Sequence, residues 1–136
     1  MTLIKTAIDT NILAYLHEAI AILKKEKAEI ILSSRPIIPS QVFVEYLNFV
    51  RKSFKEKTKT EIISNALELV KYCQITSLSD TTFIKALSLI QKYDFQLFDS
   101  IIVASAIEAD CEILYTEDMQ HNLMVENSLT IINPFL

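Results

Sequence analysis

The chain contains no glycine, although an average protein of its length would have about nine or ten. This absence excludes the glycine-rich loops that hold the phosphates of bound nucleotides. Backbone positions that need a positive φ must then be filled by asparagine or aspartate, which tolerate the left-handed region best after glycine. We therefore expect Asn or Asp at tight turns and at helix ends.

Cysteine and histidine are also scarce, and the only members of either type are Cys73, Cys111, His17 and His121. They form no Cys-x-x-Cys pair and no histidine cluster, so we expect neither a structural zinc site nor a disulfide. The two cysteines are predicted to be small buried hydrophobic residues in a reducing compartment.

Long apolar runs are absent as well. No segment reaches the roughly 18 apolar residues that a membrane span needs. Residues 1–5 lack the charged region, apolar stretch and cleavage site of a signal peptide. We therefore expect a cytoplasmic protein that makes no contact with a membrane.

The composition is that of a globular protein. The 136 residues are 51% hydrophobic, which is enough for one substantial core, and we predict a single domain over residues 1–136. The net charge is −4. This balance neither indicates nor excludes nucleic-acid binding, because a site of four carboxylates would account for the whole acidic excess.

Hydrophobic patterning predicts alternating strands and helices. The predicted strands span residues 3–8, 36–39, 74–76, 111–115 and 129–132. The predicted helices span residues 11–16, 19–32, 41–53, 60–72, 80–93 and 100–109, with Ser40 as the cap of the third. Lys24 and its neighbours to residue 27 are expected on an exposed side, and helix 100–109, apolar almost all round, at the centre. The alternation is typical of parallel β-α units with helices on both faces of an α/β sheet.

Four acidic residues stand at element boundaries or on a polar helical stripe: Asp9, Glu45, Asp99 and Asp118. Asp9 and Asp118 each follow a predicted strand, and ligands bind outside the carboxyl ends of strands in open α/β sheets. Asp99 begins the helix that leads into strand 111–115, and Glu45 lies early in the helix after strand 36–39. Gathered together, the four would offer oxygen ligands suited to Mg²⁺ or Mn²⁺ and to phosphodiester hydrolysis.

Each of these acids also has a simpler interpretation. Asp9 and Asp99 are suited to capping the helices that follow them, because aspartate is a preferred N-cap residue. Glu45 shares a helical stripe with Gln41, Asn48 and Lys52, which is typical of a solvated face. Asp118 fits an ordinary turn. The residues alone leave both interpretations open.

Several motifs occur in a specific order along the chain. They are Ile8-Asp9-Thr10-Asn11-Ile12-Leu13, Ser40-Gln41-Val42 through Glu45 to Asn48, Phe98-Asp99-Ser100-Ile101-Ile102-Val103-Ala104 with Ala106, Ile113-Leu114-Tyr115-Thr116-Glu117-Asp118-Met119-Gln120-His121, and Ile132-Asn133-Pro134-Phe135. In these motifs the chain resembles PIN-domain ribonucleases, specifically the VapC-like toxins of bacterial and archaeal toxin–antitoxin pairs. The family usually has glycine after the Gln-His pair and again a few residues on, where this chain has Asn122 and Asn127.

The resemblance implies a PIN-like three-layer α/β/α fold around a central parallel sheet of five strands in the order 3-2-1-4-5. It implies an endoribonuclease that uses Mg²⁺, or Mn²⁺, to activate a water for attack on RNA phosphorus. The implied catalytic and metal-binding residues are Asp9, Glu45, Asp99 and Asp118, with Asn11 and Thr116 as supporting polar residues. The implied partners are RNA, a cognate antitoxin and a second copy of the chain. The alternative is a non-catalytic PIN-fold module that binds RNA or protein.

Two further segments suggest binding surfaces. A basic run at Arg51, Lys52, Lys55, Lys57 and Lys59 continues from the helix that carries Glu45. We predict that Arg51, Lys52 and Lys55 contact the RNA backbone; a solvated surface without a ligand is the alternative. Residues 12–32 hold more Ile, Leu and Ala than one buried face requires, which indicates an exposed apolar groove for a partner's helix. A helix pair packed wholly inside its own core is the alternative there.

Overall fold

The computed structural model describes residues 3–136. Met1 and Thr2, which belong to the segment judged to lack a signal peptide, lie outside the described residues. The strands are β1 (Thr6–Ile8), β2 (Ile38–Pro39), β3 (Ile75–Thr76), β4 (Ile113–Tyr115), β5 (Met124–Val125) and β6 (Leu129–Ile132). The helices are α1 (Thr10–Ala14), α2 (Ile22–Ser33), α3 (Ser40–Ser53), α4 (Lys59–Tyr72), α5 (Asp80–Tyr93) and α6 (Leu97–Glu108), with a short 3-10 turn at Tyr15–His17. Within residues 3–136, no helix combines the length and the apolar character that crossing a membrane would require.

The sheet is mostly parallel. Strand β4 lies between β1 and β6 and runs parallel to both, and β2 runs parallel to β3. A parallel bridge between Ala7 and Ile37 joins the β2–β3 pair to β1. The predicted α/β class with a mostly parallel sheet is therefore confirmed. The predicted count of five strands is incomplete, because β5 adds an antiparallel edge strand beside β6.

A tight hairpin connects β5 to β6. The Ser128 amide donates to the Val125 carbonyl at 3.1 Å, and the two residues between them have positive φ, 53° at Glu126 and 54° at Asn127. Two consecutive left-handed residues twist a turn in the sense that suits paired antiparallel strands. The usual sequence signal for such a turn is Asn-Gly or Asp-Gly, and without it the sequence does not predict this hairpin.

Positive φ angles occur at six non-glycine positions in the described part of the chain: Arg35, Asp94, Asp110, Asn122, Glu126 and Asn127. Four of the six are Asn or Asp. Asp94 ends α5, Asp110 follows α6, and Asn122 has a φ of 68° in the loop after β4. The expectation that Asn and Asp take over the role of glycine is thus confirmed at these four positions, including the two where the family usually has glycine, and Arg35 and Glu126 are exceptions.

Helix α6 forms the centre of the core, as its sequence predicts. Every residue from Ser100 to Ala106 is buried, and the helix packs against α5. The side chains of Ile8, Leu114 and Ile131, from three adjacent parallel strands, are fully buried. The two cysteines are both buried and unpaired. A solid layer beneath the carboxyl edge of the sheet therefore supports the loops that begin there.

Several predicted element boundaries need correction. Strand β1 begins at Thr6, and the preceding Leu3 and Ile4 are exposed. Helix α2 begins at Ile22 and not at residue 19, because the amides of Ile20 and Ala21 donate to the Glu18 carboxylate before the helix starts.

Two predicted helix caps are wrong. Helix α3 starts at Ser40 itself, with Pro39 in the capping position, and within residues 3–136 the buried Ser40 hydroxyl has no hydrogen-bond partner. Helix α6 starts one turn earlier than predicted: Gln96 is its N-cap, and Asp99 lies inside its first turn.

Candidate functional site

Asp9 is the most deeply buried of the four candidate carboxylates. It stands where β1 ends and α1 begins, and its side chain is 5% exposed. Oδ1 accepts a hydrogen bond from the Thr10 amide at 2.6 Å, so Asp9 is the N-cap of α1. Oδ2 accepts a hydrogen bond from the Thr116 hydroxyl at 2.7 Å. The capping interpretation is therefore correct for Asp9, but it accounts for only one of the two oxygens.

Thr116 and Asn11 connect Asp9 to Asp118. The Thr116 hydroxyl donates to Asp9 and accepts a hydrogen bond from the Asp118 amide at 3.1 Å. The Asn11 amide nitrogen Nδ2 donates to Asp118 Oδ2 at 3.0 Å. Parallel pairing of β1 with β4 places the ends of these strands side by side, which brings Asn11 and Thr116 together. Both residues predicted to support the site thus contact its carboxylates.

Glu45 approaches the same edge from α3. Its Oε2 accepts a hydrogen bond from the Thr10 hydroxyl at 2.9 Å, and its Oε1 accepts one from Gln41 Nε2 at 2.6 Å. Glu45 is half-buried and tied to the residue that follows Asp9, so it does not belong to a freely solvated face. Nothing in the sequence predicts the role of Thr10. Gln41 lies on the same helical stripe as Glu45, and their spacing of four residues is the sequence signal for their contact.

Asp99 faces the same region from the first turn of α6. Asp99 and Asp118 both line a cavity of about 470 Å³, whose wall also includes Phe95, Gln96 and Gln120. A carboxylate in the first turn of a helix lies near the positive end of the helix dipole. Asp99 therefore stabilises the start of α6, and the same side chain also lines the cavity.

Burial, and then the repulsion among the acids, opposes ionisation of Asp9 and Asp99. Burial raises the pKa of Asp9 from 3.8 to about 6, against the opposing effect of its two hydrogen bonds, and the charges of Asp118 and Asp99 raise it further. Burial, followed by the charges of Asp118 and Glu45, also raises the pKa of Asp99. Asp9, Asp99 and Asp118 therefore lie within electrostatic reach of one another, and Glu45 lies within reach of Asp99. Among residues 3–136, none of them forms an ion pair with a basic side chain.

The chemistry of these groups suits a hard divalent cation. Carboxylate, hydroxyl and amide oxygens are the ligands that Mg²⁺ and Mn²⁺ prefer, and a buried carboxylate without a basic partner is stabilised by such an ion. The spacing of these side chains fits a metal ion less well than their chemistry does. Within the described chain, no three Asp, Glu, His or Cys side chains lie close enough together to hold a metal ion. Binding would require the carboxylates to move towards a shared ion.

Asp118 has a neighbour whose contacts were not predicted. The adjacent Glu117 receives hydrogen bonds from the Tyr15 hydroxyl at 2.5 Å and from Lys24 Nζ at 2.6 Å. Lys24 lies on an exposed side of its helix, as expected, with 39% of its side chain accessible, but its ammonium also turns towards Glu117. The two residues are 93 positions apart in sequence, and no local pattern links them.

The basic run lies apart from the carboxylates. Helix α3 ends at Ser53, and Arg51, Lys55, Lys57 and Lys59 line a crevice of about 530 Å³ between α3 and α4. The remaining lining residues are Leu47, Asn48, Phe54, Ile62 and Ile63. The crevice shares no lining residue with the Asp99–Asp118 cavity. Arg51 and Glu45 lie on the same helix, about 9 Å apart along its axis.

Helix α2 exposes apolar side chains. Leu23 is 81% exposed and Ile30 is 68% exposed. They line a groove of about 340 Å³ together with Lys24, Glu26, Lys27 and Phe135. The alternative that this region packs wholly inside the core is therefore wrong. Below we call this surface the α2 groove.

Comparison with protein families gives a match over most of the chain. The family model described as "PIN domain" matches residues 6–124. This range contains all four candidate carboxylates. A search of curated proteins gave no match.

Solved structures with the same fold include proteins of toxin–antitoxin systems. One is a toxin–antitoxin complex from Klebsiella pneumoniae, with a TM-score of 0.73 and 20% identity, covering 96% of this chain and 98% of that one. A second is VapC20 from Mycobacterium tuberculosis, described as a sarcin-ricin loop cleaving toxin, with a TM-score of 0.65 and 14% identity over 84% of this chain and 92% of that one. A third is VapBC2 from Rickettsia felis bound to a promoter DNA fragment, with a TM-score of 0.65 and 18% identity over 96% and 100% of the two chains. At these identities the likeness establishes the fold.

Proposed function

The chain belongs to the PIN-domain family, and from that premise we propose that it is a metal-dependent endoribonuclease, the toxin of a toxin–antitoxin pair. The observation that carries this proposal is the set of four carboxylates, without a basic partner in the described chain, at one edge of the sheet: Asp9, Glu45, Asp99 and Asp118. Mg²⁺, with Mn²⁺ as the alternative, is the proposed cofactor. RNA is the proposed substrate.

The cation, when bound, would offset the charge of a phosphodiester and lower the pKa of a water molecule. The chain's own residues fix the acids that would hold it. Thr116 and the Thr10 amide orient the two oxygens of Asp9, and Gln41 and the Thr10 hydroxyl orient those of Glu45. Water supplies the oxygen that attacks phosphorus, so no side-chain nucleophile is required.

An antitoxin is the proposed protein partner. Related folds are found in toxin–antitoxin complexes, and the α2 groove offers an apolar surface next to charged side chains, which suits an amphipathic helix. Homodimerisation is proposed as well. A second exposed apolar set, Phe83, Ile84 and Leu87 on α5, is the candidate contact between two copies. The proposed activity would be carried out in the cytoplasm, by a single domain spanning residues 1–136.

The test is RNA cleavage by the parent and by Asp99→Asn, each with Mg²⁺ or Mn²⁺ and with a chelator. The substitution keeps the size of the side chain and removes an anionic ligand. We expect cleavage by the parent only when metal is present, and a loss of at least about a hundredfold in the variant with folding retained. Equal cleavage by both proteins would refute the metal mechanism. RNA binding by both without any cleavage would favour the alternative, a non-catalytic PIN-fold binding module.

A further inference from the structure

Three side chains form a compact polar unit beside the candidate site. We call Tyr15, Lys24 and Glu117 the clasp. Each Glu117 oxygen has its own donor: the Tyr15 hydroxyl bonds to Oε1 at 2.5 Å and Lys24 Nζ bonds to Oε2 at 2.6 Å. Lys24 Nζ also donates to the Tyr15 hydroxyl at 3.1 Å, which closes the unit.

Two aromatic rings hold the Lys24 ammonium in place. It lies 4.9 Å from the ring centroid of Tyr15 and 5.5 Å from that of Phe135. The two rings pack edge to face, with centroids 4.9 Å apart. An exposed ion pair between two mobile side chains usually contributes little to stability. Here several contacts already restrain both side chains, so the ion pair loses less side-chain conformational entropy when it forms.

The clasp is connected to Asp118 through a single side-chain amide. The Glu117 backbone N–H donates to Asn11 Oδ1 at 3.2 Å, and Asn11 Nδ2 donates to Asp118 Oδ2 at 3.0 Å. Asn11 therefore contacts both Glu117 and Asp118, and its Nδ2 also donates to the Thr116 hydroxyl at 3.4 Å. A shift of Glu117 would pull on the same amide that orients the Asp118 carboxylate.

The clasp also balances one negative charge at the edge of the site. Glu117 is the residue next to a set of carboxylates that have no basic partner in the described chain. Lys24 Nζ lies 2.6 Å from Glu117 Oε2, and the Tyr15 hydroxyl bonds to the other oxygen, so a basic side chain balances the charge of Glu117. Lys24 therefore neutralises one acid locally and leaves the other four free to face a cation.

We propose that Lys24 and Tyr15 are positioning residues for the loop of residues 116–118, holding Glu117 and, through Asn11, fixing the Asp118 carboxylate. The role of Lys24 and Tyr15 in catalysis rests on the proposed nuclease function, whereas their role in holding the loop is independent of it. Residues of the 3-10 turn and of α2 would thereby set the position of the Asp118 carboxylate, which follows β4.

The main test compares Lys24→Met with Lys25→Met. Methionine keeps much of the length of lysine and removes its charge, so the two variants lose the same charge from neighbouring positions on α2. In the described part of the chain Lys25 forms no ion pair, which makes it a matched control. Lys24→Arg keeps a donor for Glu117 and serves as the conservative rescue. Tyr15→Phe removes one donor without removing the ring, and it serves if Lys24→Met does not fold.

The first readout is independent of activity: hydrogen exchange at the Glu117 amide, followed by NMR. In Lys24→Met we expect exchange about tenfold faster than in the parent and in Lys25→Met, and near-parent exchange in Lys24→Arg. The second readout is cleavage of a fluorescent hairpin RNA with a randomised loop, at a series of Mn²⁺ concentrations. We expect kcat about tenfold lower in Lys24→Met and a higher Mn²⁺ midpoint, with Lys25→Met unchanged.

The two proposals fail in different ways. Exchange at Glu117 that is equal in Lys24→Met and Lys25→Met would overturn the clasp, whether or not the parent cleaves RNA. Faster exchange with parent-like cleavage and Mn²⁺ dependence would overturn the positioning role in catalysis. A parent that does not cleave the randomised RNA, together with faster exchange in Lys24→Met, would count against the nuclease and leave the loop-positioning role in place.

Discussion

Asn11 and Asp118, 107 residues apart in the chain, are joined by a hydrogen bond of 3.0 Å from Nδ2 to Oδ2. This bond occupies one carboxylate oxygen with a neutral donor, so it orients Asp118 without cancelling its charge. The same holds for Glu45, whose donors are also neutral. The hydrogen bonds at this edge of the sheet therefore leave its negative charge in place.

Stability should depend on pH through Asp9. Its pKa is raised to about 6 in the folded protein from an ordinary 3.8, so the folded state holds the proton to a higher pH than the unfolded state does. The free energy of unfolding should therefore fall as pH rises from about 4 to about 6 and stay lowered above that. At about 1.4 kcal/mol per pKa unit, the effect is about 3 kcal/mol. Urea unfolding at a series of pH values, with a chelator present, measures it.

Asp9→Asn is the control for that measurement. Asparagine caps helices about as well as aspartate and cannot titrate. The fall in unfolding free energy between about pH 4 and pH 6 should be smaller in the variant, and what remains is due to Asp99, whose pKa is also raised. Parallel curves for parent and variant would contradict the raised pKa.

Divalent metal should stabilise the parent. An ion that binds only the folded state raises the melting temperature with concentration, and here it would also relieve repulsion among the carboxylates. We expect Mn²⁺ or Mg²⁺ to raise the melting temperature of the parent by several degrees and to have little effect on Asp9→Asn. Calorimetry at matched ionic strength, with Ca²⁺-free buffers, provides the measurement. An equal shift in both proteins would place the ion elsewhere.

RNA affinity should depend on salt through the basic run. Three lysine or arginine contacts to a single strand give a slope of about −2 for log affinity against log salt. Replacing Arg51, Lys52 and Lys55 with Ser should flatten that slope and weaken binding to all sequences alike. Fluorescence anisotropy with an Asp99→Asn background avoids cleavage during the titration.

The charge-matched control is a triple variant of Lys5, Lys25 and Lys71 to Ser. It removes the same charge from outside the α3–α4 crevice. A control that flattens the slope equally would assign the effect to net charge, and an unchanged slope in the first variant would assign the run to solvent.

Binding of an antitoxin should depend on the α2 groove. Leu23→Asp together with Ile30→Asp places two charges in the groove that the partner's apolar side chains would fill. We expect loss of the complex with a cognate antitoxin, measured by calorimetric titration, with RNA cleavage retained. Leu3→Asp, at an 82% exposed apolar position outside the groove, should bind like the parent. Binding that survives in the double variant would move the interface elsewhere.

The sequence predicts the fold class because hydrophobic patterning reflects burial. The apolar helix α6 and the short strands near Asp9 and Asp118 could be recognised from their local composition. The hairpin of β5 and β6 could not, since its turn uses Glu126 and Asn127 where the familiar signal has glycine. The cap of α6 was misplaced because Gln96 has no side-chain bond to the helix, so no preferred capping residue marks its start.

The supporting contacts of the site were only partly predictable. Asn11 and Thr116 lie in recognisable motifs directly after strands, and strand pairing brings such positions together. Lys24 and Glu117 meet only because the chain after α1 folds back over the loop that follows β4. Such a pairing depends on tertiary geometry, and a lysine on α2 carries no local sign of it.

The lack of glycine has a consequence for the unfolded chain. Glycine samples more backbone conformations than any other residue when unfolded, so replacing it narrows the unfolded ensemble. At Asp94, Asp110 and Asn122 the left-handed backbone has a steric cost in the folded protein. These residues lose less conformational entropy on folding than glycine would at the same positions. These turns are therefore stabilised in part by the lower conformational entropy of the unfolded chain, an effect that no contact in the folded structure shows.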